Sequence, residues 1–367
     1  MKPKWLPPDH SRKLVAIVFI VFLVMFAIRR GLYHSLHFKH RLVHPGVLSM
    51  STDHRGDLLE MVRSIVPPLA YDRHKGQAGR VGVVGGCQEY TGAPYFAGIA
   101  ALKSGADLAH VFCTSDAATV IKSYSPELIV HPLLDKQTGV AEMSTWMERL
   151  HTLVVGPGMG REQHIMDNVK GVIAKARQLS IPVVIDADGL WLVTVSPEVI
   201  TGYNKAILTP NIVEFNRLFQ AMLGKQPEKN ASSENVKQLS QAMGNLTIVQ
   251  KGQTDVISNG DKVLLADAEG SPCRAGGQGD ILSGAMGVFT FWGYDAVRRG
   301  VDNPLLKEYG PSIAAAYGAS TLTKTCSRLA FSKWGRSMGA ADLIPEIHYV
   351  FEELFEMSGP GTPVQRL

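Results

Sequence analysis

The chain has 367 residues, 45% of them hydrophobic, enough to bury the core of two average domains or of one large α/β domain. Its formal charge of +4 is unevenly spread, because residues 1–52 hold eight of the 37 Lys/Arg and only one of the 33 Asp/Glu, leaving a mildly acidic remainder. That balance excludes nucleic acid as the expected partner, and four cysteines with no C-x-x-C pairing and no His at ligand spacing argue against structural zinc or a disulfide framework and for reduced thiols inside the cell.

Leu14 to Ile28 is an unbroken apolar run flanked by Arg12, Lys13, Arg29 and Arg30, and no acidic residue occurs from His10 to Thr52. The run is short for a bilayer span of about 20 residues, and no small-residue cleavage site follows it. The composition is that of an organelle address and predicts the mitochondrion; a membrane anchor at residues 14–28, or a cytosolic product of an alternative start, are the alternatives. His34, His37, His40 and His44 resemble a metal tract but come without acidic or Cys ligands and read as a solvated linker.

From Val66 onward, short β-branched runs alternate with longer amphipathic segments. Arg80–Gly86 reads as a buried strand and Ala93–Ala106 as a helix with Pro94 in its first turn. DLAHVFC, ELIVHPL, TLVVG, PVVID, KAILTP and LTIVQKG then recur as strands between helical stretches such as Asn168–Leu179 and Ser232–Met243. This alternation predicts an α/β fold, a mostly parallel sheet with helices on both faces. Asn259 and Gly260 between two apolar runs predict a hairpin at the sheet edge. Ile313–Leu329 is apolar enough for either core or a contact in a homo-oligomer.

Ligands of such sheets bind beyond the carboxyl ends of the strands. Glycines and polar residues gather there: Gly85, Gly86 and Tyr90; Gly156, Gly158 and Gly160; Asp186 and Asp188; Asn211 and Glu214; Lys251 and Gly252. The V-G-P-G-M-G spacing is neither a dinucleotide fingerprint nor a P-loop. Asn211 and Glu214 fit a capping box, or an acid holding Mg²⁺ through water near phosphates. Lys251 is either a solvated lysine or a cation for phosphate oxygens. Gly276, Gly277 and Gly279 precede a small-residue helix, so phosphate is the expected occupant of their loop. Asp280 is either the cap of that helix or a base beside the phosphate.

VVGGCQEYTGAPYFAG, VVGPGMGR, PVVIDADGLW, LTPNIVEFNRL, VQKGQTD and GGQGDILSG occur in this order. Through them the chain resembles the ribokinase-like superfamily and, within it, the eukaryotic NAD(P)H-hydrate dehydratases. The likeness spans about residues 60–357, giving one domain at 56–359 after an address and linker at 1–55 and before a tail at 360–367. It implies ATP-dependent dehydration of hydrated NADH and NADPH; Mg²⁺ on the phosphates, with Glu214 in its outer shell, is the expected metal. A ribokinase-like small-molecule kinase is the alternative.

The resemblance assigns Gly158, Asn211, Ile212, Val213, Glu214, Phe215, Asn216 and Arg217 to the hydrated nucleotide. It assigns Lys251, Gly252, Gln253, Thr254 and Asp255 to ATP. The segment Gly270, Ser271, Pro272, Cys273, Arg274, Ala275, Gly276, Gly277, Gln278 and Gly279 is assigned to ATP as well, and Asp280 to the substrate; its place beside the phosphate loop then makes it the expected catalytic base. Many bacterial relatives have His at position 211 and Thr at position 276; Asn211 keeps the N-x-x-E form of the wider superfamily. Those relatives often carry a fused epimerase, for which the residues before this fold are too few, so the epimerase partner is expected to be a separate chain.

Overall fold

The computed structural model describes residues 52–72 and 74–356; the apolar run at 14–28, the histidine tract and the tail lie outside them. Nine strands form one sheet: β1 (Arg80–Val84), β2 (Leu108–Cys113), β3 (Ile129–Pro132), β4 (Thr152–Val155), β5 (Val183–Ile185), β6 (Ala206–Leu208), β7 (Thr247–Gln250), β8 (Asp255–Ser258) and β9 (Val263–Ala266). Their spatial order is β3-β2-β1-β4-β5-β6-β7-β8-β9. β1 to β7 run parallel, in registers such as Val83 opposite Val111 and Val154. β8 and β9 close one edge as the antiparallel hairpin expected from Asn259-Gly260.

Every residue of β4 to β7 is buried, which is why these strands read as continuous Val/Ile/Leu runs and not as alternating ones. Phe112, Met143, Leu153, Ile173, Leu192, Phe215, Phe219 and Ile248 belong to one core cluster. The helix Pro311–Trp334 is buried from Ser312 to Thr323, so its apolar character is accounted for by the core.

Two features position the site. The chain winds outward from β1 through β2 to β3, then returns to lay β4 on the other side of β1, so the carboxyl ends of β1 and β4 form the switch point of the sheet. Over these two strands lies the helix Gln278–Arg298. A Cβ on Gly287 would meet Val154 at 2.9 Å and Val81 at 3.4 Å, and one on Gly284 would lie 2.0 Å from the Ala97 carbonyl oxygen. Small residues thus let this helix sit close enough for its N-terminus to open at the switch point.

At the opposite edge, His110 of β2 and His131 of β3 stack and share a 3.0 Å contact between Nδ1 and Nε2. Burial lowers the pKa of both rings, that of His131 to about 4, with His110 and Lys122 adding to the latter.

Candidate active site

The turns after β1 and β4 touch: a Cβ on Gly85 would lie 2.1 Å from the Pro157 carbonyl oxygen. Gly156, with φ +120°, lies against the Asp186 carbonyl, where a Cβ would come within 1.9 Å. Gly158, with φ +59°, packs under Tyr90, and its carbonyl accepts from Gly86 N–H at 3.0 Å. These glycines draw the turns into one floor.

Asp186 stands at the end of β5 with its side chain 3% exposed. It accepts 2.7 and 2.9 Å hydrogen bonds from Lys251 Nζ and Thr209 Oγ1. The next residue, Ala187, adopts φ +48°, a left-handed conformation that costs a non-glycine residue energy and sits between Asp186 and Asp188. Asp188 accepts from Gly160 N–H and from Arg161 Nε at 2.8 Å, and the Arg161 guanidinium lies over Trp191. Asp188 therefore ties two turns together.

Asp280 faces this group. Burial pushes its pKa up to about 8; Asp186 and Asp188 act in the same sense and Lys251 opposes them. Burial works against the Lys251 charge, yet Asp186, Glu214 and Asp280 outweigh it and hold the lysine above its usual value. Glu214 is raised as well, first by burial, with Lys251 pulling the other way. Three carboxyl groups therefore surround one lysine.

The helix over the switch point begins at Gln278, and its cap is Gly277, whose φ is +97°. Asp280 is thus the third helical residue and makes no capping bond, which corrects the reading of it as an N-cap. The physical reason is that Gly277 takes up the left-handed turn, pressed against Ala340 and Phe96, where a Cβ would come to 2.7 and 3.0 Å. Gly279 passes the charged group so closely that its Cβ would lie 3.4 Å from both Asp186 Oδ2 and Lys251 Nζ. Gly276 meets nothing within 4 Å, so packing does not require glycine there. The first-turn N–H groups of this helix have no intrahelical acceptors and, with the dipole, favour an anion.

Asn211 and Glu214 form the capping box of the helix Ile212–Leu223: Asn211 Oδ1 accepts from Val213 and Glu214 N–H, and Glu214 Oε2 accepts from Asn211 N–H at 2.7 Å. Ile212 and Val213 are more than half exposed, and Arg217 is exposed. Asn216 Oδ1 is buried without a hydrogen-bond partner. Phe215 is fully buried in the core, so of the seven residues from Asn211 to Arg217 its side chain is withdrawn by the fold.

On the other side of Lys251, Asp255 is 4% exposed. It accepts from Gly252 N–H at 2.9 Å and pairs with Lys324 at 3.0 Å. Lys324 Nζ also donates to the carbonyls of Gly252 and Gln253. Asp255 therefore braces the turn through Oδ1; Gln253 is exposed and Thr254 half-buried. The loop from Gly270 is tied down by Ser271 Oγ on Ser327 Oγ at 2.7 Å and by Gln278 Nε2 on the Cys273 carbonyl at 3.2 Å, with Pro272 and Arg274 exposed and Ala275 half-buried. Lys324, Ser327 and the Asp186–Lys251 pair escaped the sequence reading, although a lone lysine inside the buried Ala319–Cys326 stretch signals a buried partner. The four cysteines are free, and among the described residues no group of three or more His, Cys, Asp or Glu side chains is placed to hold a metal ion. No described helix is long and apolar enough to cross a membrane.

This fold is that of the ribokinase-like proteins. A ribokinase-like protein of Enterococcus faecalis V583 superimposes with a TM-score of 0.66 at 20% identity, covering 87% of this chain and all of its own. The ADP/ATP-dependent NAD(P)H-hydrate dehydratase of Bacillus subtilis, co-crystallised with ATP and Mg²⁺, superimposes with a TM-score of 0.60 at 21% identity, over 80% of this chain and 97% of its own. Residues 81–348 match the sequence profile of the NAD(P)H-hydrate dehydratases, and the chain belongs to that family. It is 51% identical over 340 residues to the ATP-dependent (S)-NAD(P)H-hydrate dehydratase of Rattus norvegicus, covering 93% of this chain and 94% of the relative. To the protein of the same name from Homo sapiens it is 54% identical over 298 residues, covering 81% and 84%.

Proposed function

We propose that this chain repairs hydrated NADH and NADPH, using ATP to restore the dihydropyridine and releasing ADP and phosphate. The observation that carries this reading is the placement of Asp280, a carboxylate held near a pKa of 8 on the first turn of the glycine-loop helix, beside Lys251. A base in that range works close to neutral pH. The activity named for the rat and human relatives supports the same reading.

Hydroxide is a poor leaving group, and phosphorylation of the C6 hydroxyl of the hydrate turns it into a good one. Asp280 takes the hydroxyl proton as its oxygen bonds to the γ-phosphorus and the bond to ADP breaks. First-turn N–H groups at Gly277 to Gly279 and the helix dipole stabilise charge on the moving phosphoryl group. The ring-nitrogen lone pair then expels phosphate, leaving an N1–C6 iminium, and loss of a C5 proton to water restores the C5–C6 double bond. Lys251, bound to Asp186, is a fixed cation next to this path.

The residues fit a magnesium ion held mainly by ATP and water: no protein cage is present among the described residues, and the carboxylates outnumber the lysine. Glu214, with one oxygen on Asn211 N–H, would hold it in the outer shell by the other. When bound, the ion neutralises phosphate charge.

In this reading the backbone from Asn211 to Arg217 and the floor at Gly158 meet the hydrated nucleotide, and the turns Lys251–Asp255 and Gly270–Gly279 meet ATP. A separate epimerase chain supplies the epimer that the site accepts, and residues 1–55 direct the protein to mitochondria. Incubation of hydrated NADH with Mg²⁺ and either ATP, ADP or no nucleotide tests the function. Recovery of NADH absorbance with ATP and not without nucleotide supports it; a stable phosphoester in place of NADH would point to a small-molecule kinase.

A further inference from the structure

An aromatic group flanks the candidate site on the side away from the Lys251 turn. Tyr90 is 60% exposed and Tyr124 45% exposed, unusual for side chains of this size. The Tyr124 ring stands edge-on to Tyr95, with centroids 5.3 Å apart, and Tyr95 in turn lies 5.5 Å from Phe96. The Tyr124 hydroxyl shares a 2.8 Å hydrogen bond with Thr91 Oγ1, which fixes the outermost ring although it comes from the far end of the helix Ser115–Tyr124.

The group is continuous with the catalytic floor at two points. Phe96 rests against Gly277, the cap of the helix that carries Asp280. Tyr90 lies over Gly158 through its carbonyl oxygen and Cβ. Sheet order supplies the direction: the turns proposed for ATP follow β7 and β9, Asp280 sits over β1 and β4, and the aromatic rings follow β1 and β2 on the far side. A dinucleotide with its reacting ring at Asp280 and ATP on the β7 side extends its second half over β1 and β2.

We propose that Tyr90, Tyr95 and Tyr124 form the stacking subsite for the adenine of the hydrated dinucleotide. This rests on the function proposed above and adds to it the recognition of the half of the substrate that does not react. A planar base has two faces to stack, and flat, held side chains accept one at small entropic cost. Binding gained at a remote base is available to position the reacting ring.

The test compares hydrated NADH with hydrated reduced nicotinamide mononucleotide, which lacks the adenosine. In the unmodified protein kcat/KM is higher for the dinucleotide. Tyr124→Ala and Tyr90→Ala each reduce the ratio of the two kcat/KM values on the order of ten-fold, the scale of one base–aromatic stack. Tyr124→Phe, which keeps the ring and loses the bond to Thr91, retains most of the ratio. A ratio unchanged in both alanine variants overturns the subsite, even if the two rates fall together. No turnover of either hydrate by the unmodified protein overturns the underlying function, and the subsite with it.

Discussion

Replacing Asp280 by Asn should make the protein more stable and nearly inactive, and the stability gain should depend on pH in a defined way. The carboxyl group has an ordinary pKa of 3.8 and is raised to about 8 in the fold, chiefly by burial. Between these values the folded chain binds a proton that the unfolded chain has released. The stabilisation from keeping Asp280 protonated is therefore complete below about pH 4 and is lost as pH rises toward 8. At 1.36 kcal/mol per pH unit the full span corresponds to about 6 kcal/mol. Asp280 is partly exposed, so solvent screening makes that figure an upper bound and the measured gain should be smaller. Asn does not titrate, so the variant should match the unmodified protein near pH 4, gain steadily above it, and level off beyond pH 8. Urea denaturation at pH 5, 7 and 9 reads this directly. Turnover of hydrated NADH should fall on the order of 10² to 10⁴. A stability difference that is flat with pH, or turnover within a few-fold of normal, would refute the reasoning.

For the unmodified protein, kcat/KM should rise with pH toward a limb near 8, where Asp280 loses its proton. Lys251 lowers that pKa, so Lys251→Met should move the limb to higher pH in the same profile. The same change strands the buried Asp186 carboxylate and should cost roughly 3–5 kcal/mol in urea denaturation. Asn211→Ala removes the capping box and should cost about 1 kcal/mol by the same measurement. His131, lowered to about 4, is neutral in the fold, so its stabilisation is present above pH 6.5 and is lost as pH falls toward 4. A His131→Gln variant should show a shallower stability loss between pH 7 and 5.

The parallel sheet was legible because buried strands write themselves as short Val/Ile/Leu runs, and the edge hairpin because Asn259-Gly260 is turn chemistry between two such runs. The start of the glycine-loop helix was not legible to the residue. Both Gly277 and Asp280 suit a cap, and only the packing of Gly277 on Phe96 and Ala340 decides between them. The sequence brought Asp186, Asn211, Glu214 and Lys251 to strand ends, but it does not show that Lys251 is bound to Asp186 across 65 positions, or that Lys324 and Asp255 hold the turn between them. Those pairings depend on which strands are neighbours. Phe215 shows the same limit: a motif names a contiguous stretch, whereas a helix turns one of its residues into the core.

The central claim is that ATP drives dehydration through a phosphate ester that does not persist. A single-turnover experiment with hydrated NADH, Mg²⁺ and ATP labelled in the γ-phosphate tests it most directly. Label should appear in inorganic phosphate in an amount equal to the NADH formed. Label held in a stable organic phosphate, or NADH formed without phosphate release, would contradict it.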